Sequence, residues 1–247
     1  MIFNEQTQES SRNDWVVRRF LDGVRGGIPY ANDQLDVMLR LIAAIDRPIE
    51  RFLDLGSGSG LLAIAVLTRH PNARATLVDN SAPMMEAARD LLGEDTVLPA
   101  FVLADLAQPG WTDAIAHEGP FDAIVSGFTI NALRNDRKAA LGHELLPLLA
   151  PGGIFINVEQ VASASSWVKE VWDQAMIDSL SGYNERQRTG KSRSMVQREY
   201  AQTEATSEEL RAPVATQLGW LHDAGFVDVD CYFKYFELAV LGGRRAQ

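Results

Sequence analysis

The sequence predicts an α/β fold, built on a mostly parallel sheet with helices on both faces. Two observations support this prediction. Short apolar runs alternate with helix-like segments from residue 51 to residue 158, and chains of this kind form parallel sheets with right-handed crossovers. Near the C-terminus, two strand-like runs follow each other closely enough to pair as an antiparallel hairpin.

The elements can be assigned in chain order. A first helix is expected after Asn32-Asp33, because apolar residues recur from there with helical spacing until Pro48. The core then reads as strand 51–55, helix 60–70, strand 75–79, helix 81–92 capped by Ser81, strand 99–104, strand 121–125, a helix through Leu141, Leu145 and Leu148-Leu149, and strand 154–158. A helix over 207–224 follows, and then strands near 227–232 and 234–241.

Length and composition restrict the classes of function. A chain of 247 residues buries roughly 70–75% of its unfolded surface, which suits one core with an appended lid. The net charge of −10 disfavours a phosphate backbone as the main partner. Cys231 is the only cysteine, so we expect a buried apolar side chain and no disulfide, and no residue spacing indicates a metal site. No signal peptide or membrane segment is recognisable, so we expect a cytoplasmic protein.

A long insertion, roughly residues 160–206, interrupts the alternation. Its first half has the pattern of an amphipathic helix that includes Trp167 and Trp172. Its second half, residues 183–200, carries five cationic residues, among them Arg193, against two acidic ones. We expect four segments within one domain: an N-terminal helical lid (1–45), a cofactor-binding core (50–160), a helical substrate lid (160–206), and a C-terminal helix with a hairpin (207–247).

The first core strand runs into three glycines at alternate positions, Gly56, Gly58 and Gly60. Glycines allow a tight turn and a close approach of the backbone to a ligand. A dinucleotide fingerprint requires G-x-G-x-x-G, but here the glycines follow G-x-G-x-G. Asp54 beside the loop would repel a pyrophosphate and attract an ammonium group. The loop therefore favours S-adenosylmethionine, which combines an amino acid with a nucleoside.

Ligands of open α/β sheets bind outside the carboxyl ends of the strands. Asp79 ends the second strand and can accept hydrogen bonds from both ribose hydroxyls. Asp105 ends the third strand and can accept from an exocyclic amino group, while the N–H of Leu106 donates to a ring nitrogen. Met84 is expected either on an adenine face or in the core.

Five elements resemble class I S-adenosylmethionine-dependent methyltransferases: Asp54-Leu-Gly-Ser-Gly-Ser-Gly60, Val78-Asp-Asn80, Ala104-Asp-Leu106, Phe121-Asp-Ala-Ile-Val125 and Leu149-Ala-Pro-Gly-Gly-Ile-Phe155. The resemblance covers about residues 30–160. It implies a Rossmann-like seven-stranded sheet with an antiparallel last strand. The expected cofactor-binding residues are Tyr30, Asp54, Gly56, Ser57, Gly58, Gly60, Asp79, Asn80, Met84, Asp105, Leu106 and Ser126.

A narrower resemblance links Gly27-Ile-Pro-Tyr30, Gly127-Phe-Thr129, Ser192-Arg-Ser-Met195 and Cys231-Tyr-Phe-Lys-Tyr-Phe236 to the carboxy-S-adenosylmethionine synthases, which serve tRNA wobble-uridine modification. It implies that Tyr30 touches the cofactor and that Arg193 pairs with its added carboxylate. Two features depart from that family: the glycine loop is regular, and Gly127 stands where the family has a cofactor-contacting Asn. Both departures favour ordinary methyl transfer.

The acceptor side is expected to be aromatic, because aromatic residues concentrate in the two segments outside the core. Candidate lid or substrate residues are Trp15, Phe20, Tyr30, Phe128, Trp167, Trp172, Tyr183 and Arg193. Glu159, at the end of the fifth core strand, is a candidate general base and equally a candidate structural glutamate. Methyl transfer itself depends mainly on proximity and alignment.

The predicted function is methyl transfer from S-adenosylmethionine to a small acceptor. The basic segment around Arg193 suggests an anionic acceptor or a carboxylated cofactor. A carboxy-S-adenosylmethionine synthase and a non-catalytic cofactor-binding subunit remain alternatives, and a homodimer is a further expectation. A dehydrogenase is disfavoured by the glycine spacing.

Overall fold

A computed structural model describes residues 26–93 and 99–247. The helices and strands of this part of the chain are, in order, α1 (Ala31–Ala43), β1 (Arg51–Leu55), α2 (Leu61–Arg69), β2 (Arg74–Asp79), α3 (Ala82–Leu92), β3 (Ala100–Leu103), β4 (Phe121–Gly127), α4 (Asn135–Leu145), β5 (Leu149–Gln160), α5 (Ser166–Arg186), α6 (Arg193–Ser207), α7 (Val214–Ala224), β6 (Val227–Tyr235) and β7 (Leu238–Arg244). Short 3-10 turns connect several of them.

The strands form one sheet of seven in the order β3-β2-β1-β4-β5-β7-β6. The first five strands pair in parallel, whereas β7 runs antiparallel to both β5 and β6. The predicted Rossmann-like architecture, with an antiparallel last strand, is therefore confirmed. The carboxyl ends of β1 to β5 and the turn between β6 and β7 all lie at one edge of the sheet, because Gln160 at the end of β5 pairs with Leu238 at the start of β7.

Both faces of the sheet are covered by helices. On one face, α1, α2 and α3 contribute Met38, Ile42, Leu62 and Met85 to a buried cluster. On the other face, α4 and α7 pack Leu141, Leu145, Leu221 and Ala224 against the sheet. The parallel strands are apolar along nearly their whole length because both of their faces are buried.

Two predicted boundaries were wrong for local reasons. The helix predicted over 207–224 is divided: a 3-10 turn ends at Leu210, and α7 begins after Pro213. Proline lacks a backbone N–H and is favourable only near the start of a helix. The fifth strand begins at Leu149, five residues before its predicted start, because Leu149 already pairs with Phe121 of β4 before a register shift.

Helices α5 and α6 belong to the insertion. The side chain of Ser165 caps α5 by accepting a hydrogen bond from the Val168 N–H, and Ser192 caps α6 in the same way through Met195.

Cys231 is half-buried in β6, where its Sγ lies 3.2 Å from the Phe233 carbonyl oxygen. Cys231 therefore packs against the core as an apolar side chain but is less buried than predicted, because β6 is an edge strand.

Candidate functional site

The glycine loop connects β1 to α2 in the way the sequence predicted. Gly56, Gly58 and Gly60 all have positive φ angles, of 62°, 52° and 83°. The N–H groups of Gly56 and Ser57 donate to the Val78 carbonyl at 2.7 and 3.0 Å, which holds the start of the loop against β2. A Cβ at Gly56 would stand 2.0 Å from Thr129, whereas a Cβ at Gly58 would meet nothing within 4 Å. The middle of the loop is therefore an open cradle.

A cavity of about 450 Å³ lies at the carboxyl ends of β1 to β4. Six of the residues predicted to bind cofactor or substrate line it. The complete lining is Gly56, Asp79, Asn80, Ala104, Asp105, Leu106, Ala107, Phe128, Thr129, Ala132 and Leu133. The sheet topology brings these residues together, because the strands that precede them are neighbours in the sheet.

Asp79 is held in place by backbone groups on both sides. Its Oδ2 accepts the Gly58 N–H at 2.8 Å, and its Oδ1 accepts the Ser81 N–H at 2.8 Å. Ser81 precedes α3, but its side chain makes no capping hydrogen bond, so the expectation that Ser81 caps this helix was wrong. A carboxylate oxygen can accept more than one hydrogen bond, so Asp79 retains acceptor capacity for a diol.

The Asp105–Leu106 segment is held in place by hydrogen bonds from neighbouring residues. The Asp105 Oδ1 accepts the Ala107 N–H at 2.9 Å, and the Leu106 carbonyl accepts from Nε of Arg137 at 2.6 Å. Arg137 in turn forms a bidentate pair with Glu144, at 2.9 and 2.7 Å. Arg137 could not be predicted from the sequence, because nothing in the spacing of α4 connects it with the Asp105–Leu106 segment.

Other predicted cofactor residues lie behind the cavity. Asp54 is only 1% exposed, and its Oδ2 accepts the Ala63 N–H at the start of α2. Ser126 is fully buried and donates to the Leu55 carbonyl at 2.9 Å. Ser57 is buried with its hydroxyl against the sulfur of Met85. Asp54 and Ser126 therefore support the loop through their own hydrogen bonds, and their direct contact with a ligand stays a prediction.

Met84 lies on the solvent side of α3. It is 49% exposed, whereas Met85 is buried in the core. Met84 was expected either on an adenine face or in the core. The core position is therefore wrong, and contact with an adenine stays a prediction.

Glu159 is completely buried near the end of β5. It accepts hydrogen bonds from Asn131 N–H at 2.8 Å, Gln160 N–H at 2.7 Å and the Asn157 amide at 3.3 Å. Burial raises the pKa of Glu159 to about 7, although these donors and Lys138 partly oppose the rise. The geometry favours the structural alternative for this residue.

An aromatic cluster stands at the same edge of the sheet, beside the β6–β7 turn. Tyr30, just before α1, is 50% exposed and packs against Tyr235 with a centroid distance of 4.5 Å. The fully buried Trp172 of α5 stacks on Phe236 at 6.3 Å. Tyr30, Phe128 and Phe236 have positive φ angles of 55°, 53° and 49°, a conformation that is strained for bulky residues and concentrates at ligand sites.

The remaining lid candidates lie in different environments. Tyr183 of α5 lies beside Gly27, while Trp167 is 72% exposed on the outside of α5. Arg193 is exposed and pairs with Asp178 at 2.7 Å and with Gln174 at 3.1 Å. Both partners lie on α5, so the guanidinium group is already paired within the insertion. Trp15 and Phe20 lie outside the described residues.

A buried charge network, missed by the sequence analysis, connects the insertion to the hairpin. Arg211 pairs with Glu204 of α6 at 2.6 Å and with Glu237 in the β6–β7 turn at 3.3 Å. Lys169 of α5 belongs to the same network, because it pairs with Glu204 at 2.8 Å. The Ser163 hydroxyl donates a hydrogen bond to Glu237 at 2.6 Å. Burial raises the pKa of Glu237. A second cavity, of about 460 Å³, borders this network.

The described residues contain no cluster of three or more His, Cys, Asp or Glu side chains that could hold a metal ion. Within the same residues, none of the helices is both long and apolar enough to cross a membrane.

This chain is similar to known methyltransferases and to carboxy-S-adenosyl-L-methionine synthases. Residues 52–153 match a family described as a methyltransferase domain. Similar curated proteins include the carboxy-S-adenosyl-L-methionine synthases of Aeromonas hydrophila, 28% identical over 91% of this chain and 86% of that protein, and of Nautilia profundicola, 22% identical over 96% of both.

Solved structures share the fold at low identity. An O-methyltransferase family protein from Burkholderia thailandensis has a TM-score of 0.59 at 17% identity, over 99% of this chain and 61% of that one. A SAM-dependent methyltransferase from Leishmania major also scores 0.59, at 15% identity, over 91% of this chain and 77% of that one. This chain spans 57% of the SibL methyltransferase and 61% of the Burkholderia thailandensis protein.

The prediction of a methyltransferase that uses S-adenosylmethionine is confirmed at the level of domain and fold. Residues 52–153 match the methyltransferase-domain family, and solved methyltransferase structures share the fold of this seven-stranded sheet.

Proposed function

We propose that this protein transfers the methyl group of S-adenosylmethionine to a small molecule bound between the cofactor cavity and the aromatic cluster. The observation that supports the proposal is the cavity at the carboxyl ends of β1 to β4, where a fixed carboxylate, Asp79, meets an open glycine loop. This is the position at which open α/β sheets bind ligands.

The residues at the cavity fit this cofactor. Asp79 would hold the ribose diol, and Asp105 with Leu106 would hold the adenine edge. The space above Gly58 would admit the chain that joins the ribose to the amino acid. When bound, the cofactor supplies an electrophilic methyl group on a cationic sulfur. Half-exposed aromatic rings such as that of Tyr30 favour a nearby cation.

The contribution of the protein to the reaction would be alignment and exclusion of water. Among the described residues that line the cavity, only Asp79 and Asp105 have titratable side chains. Since both are assigned to the nucleoside and Glu159 is buried, the chemistry favours an acceptor that needs no strong base at the cavity.

The acceptor would lie against Tyr30, Tyr235 and Phe236, next to Phe128 at the end of β4. Flat rings at this place suit a small organic molecule. An anionic acceptor stays a prediction, because the residue on which it was based, Arg193, pairs with Asp178 on the outside of α5. A cytoplasmic location, a homodimer and the assignment of residues 1–45 and 160–206 as lids also stay predictions.

The second candidate function is synthesis of carboxy-S-adenosylmethionine. It is favoured by the curated relatives of that name, which match more than nine-tenths of this chain. Mass spectrometry of the nucleoside that remains bound after purification separates the two candidates. A mass increased by one carboxylate would support the second, whereas S-adenosylmethionine or S-adenosylhomocysteine would support the first.

Replacement of Asp79 tests the cofactor site. Asp79→Asn should weaken S-adenosylhomocysteine binding by about tenfold or more in calorimetry, because hydrogen bonds to a charged acceptor contribute about 1.5–3 kcal/mol. Asp90→Asn, on the exposed side of α3, is the matched control and should bind like the wild type. Equal affinity of the two variants would contradict the assignment of Asp79 to the ribose.

A further inference from the structure

Gln34 stands out among the buried polar residues. It is fully buried on α1, and neither its Oε1 nor its Nε2 has a hydrogen-bond partner among the described residues. Other buried amides differ: Gln217 donates from Nε2 to the Ala212 carbonyl at 3.0 Å, and Asn157 donates to Glu159. Buried polar groups are nearly always paired, so a doubly unpaired amide requires an explanation.

Gln34 lies in the first turns of α1, at the edge of the sheet where the cavity opens. It lies one turn after Tyr30, on the buried side of α1 with Leu35 and Met38. Helix α1 packs on the same face of the sheet as α2, the helix that directly follows the glycine loop. Its first turn lies at the carboxyl edge of the sheet, since Tyr30 packs against Tyr235 beside the β6–β7 turn.

The assigned contacts would direct the amino acid end of the cofactor toward this helix. With Asp105 and Leu106 assigned to the adenine and Asp79 to the ribose, the remaining part of the molecule would extend toward β1 and β4. Helix α1 contacts β5 and β7, the next strands in that direction.

The chemistry of an amide matches this end of the cofactor. An amino acid end carries a carboxylate, which accepts hydrogen bonds, and an ammonium group, which donates them. The Gln34 amide offers two donors and one acceptor on one planar group. Asp54, the residue expected to meet the ammonium group, instead supports the start of α2.

We propose that Gln34 binds the amino acid end of S-adenosylmethionine through its unpaired amide. The proposal rests on the proposed function, because it assigns one part of the same cofactor site. It implies that this residue lowers the stability of the ligand-free protein and is retained for binding.

The test compares Gln34→Leu, of similar volume, with the wild type. Binding is measured for S-adenosylhomocysteine and for 5′-methylthioadenosine, which lacks the amino acid. The variant should bind S-adenosylhomocysteine about 10- to 100-fold more weakly and 5′-methylthioadenosine unchanged. Its ligand-free Tm should rise by about 2–4 °C or more, because two unpaired buried atoms are removed.

Gln217→Leu is the matched control, since it removes a buried amide that is paired. Its Tm should fall, while its affinity for both nucleosides stays at the wild-type value. If Gln34→Leu does not fold, Gln34→Met serves as a second apolar replacement in the same measurements.

Two results for the variant would overturn the proposal. The first is a lower Tm with unchanged S-adenosylhomocysteine binding, which would make the amide structural. The second is equal weakening of both nucleosides, which would indicate a distorted cavity. A wild-type protein that binds neither nucleoside would overturn the cofactor site itself, and is distinguished by the absence of binding before any substitution.

Discussion

Gly56 and Gly58 are two residues apart and both have positive φ, yet they serve different purposes. At Gly56 a side chain would collide with Thr129, whose hydroxyl donates to the Gly56 carbonyl at 3.0 Å. At Gly58 a side chain would meet only open space, beside the N–H that Asp79 accepts. The first glycine is needed for packing of the loop on the β4 end, and the second keeps the cradle open.

Alanine substitutions should separate these purposes. Gly56→Ala should lower Tm by about 5–15 °C, because overpacking and left-handed strain both destabilise. Gly58→Ala should lower Tm by only about 2–4 °C but weaken S-adenosylhomocysteine binding about tenfold. Gly190→Ala, also at positive φ in open space but between α5 and α6, controls for strain alone. Wild-type affinity in Gly58→Ala would contradict this role of Gly58.

At the scale of elements, the insertion and the hairpin are joined by charge as well as by aromatic packing. Arg211 connects Glu204 of α6 with Glu237 of the β6–β7 turn, and all three side chains are buried. Glu237 directly follows Phe236, which stacks on Trp172 of α5. The network thus fixes the turn that carries part of the aromatic cluster.

Arg211→Met should be strongly destabilising, because it leaves two carboxylates buried without their cation. Loss of one partner from a buried pair costs about 3–5 kcal/mol, which corresponds to a fall in Tm of roughly 6–20 °C. The control is Arg134→Met, which removes an exposed pair with Asp136 and should change stability by about 1 kcal/mol or less. Similar Tm values for both variants, in thermal unfolding followed by circular dichroism, would show that the network contributes little.

At the scale of the whole molecule, one buried carboxyl group links folding to pH. The pKa of Glu159 is raised to about 7 in the fold, against about 4.3 for an exposed glutamate. A raised carboxyl pKa means that its contribution to stability is complete at low pH and is lost as pH rises to about 7. The cause is burial beneath the 3-10 turn that contains Asn131.

Glu159→Gln should remove this pH dependence, because an amide does not ionise. Between pH 4.5 and pH 8, the free energy of unfolding of the wild type should fall relative to the variant by about 3 kcal/mol. Urea unfolding at several pH values measures this difference, and Glu209→Gln on the surface is the control. A constant difference between wild type and Glu159→Gln over this range would show that the carboxyl group keeps an ordinary pKa.

Much of the cavity lining could be predicted from sequence because it depends on short-range patterns. Gly56 follows β1, Asp79 is the last residue of β2 and Asp105 comes shortly after β3, and the rule that parallel strands end at one edge of the sheet brings them together. Support residues could not be predicted in this way. Arg137 and Arg211 have partners in other elements of the chain, and the Gln34 amide has none among the described residues. The local spacing of residues does not indicate either situation.

The sequence by itself determined the α/β class with its antiparallel last strand and the open glycine loop, because backbone conformation and alternation of elements are local properties. Only the tertiary structure decided which candidates line the cavity. It buried Asp54, Ser126 and Glu159 with hydrogen-bond partners, paired Arg193 with Asp178, and left the Gln34 amide buried without a partner among the described residues. Burial and pairing depend on what the rest of the chain packs against a residue, and this information is not contained in its immediate sequence.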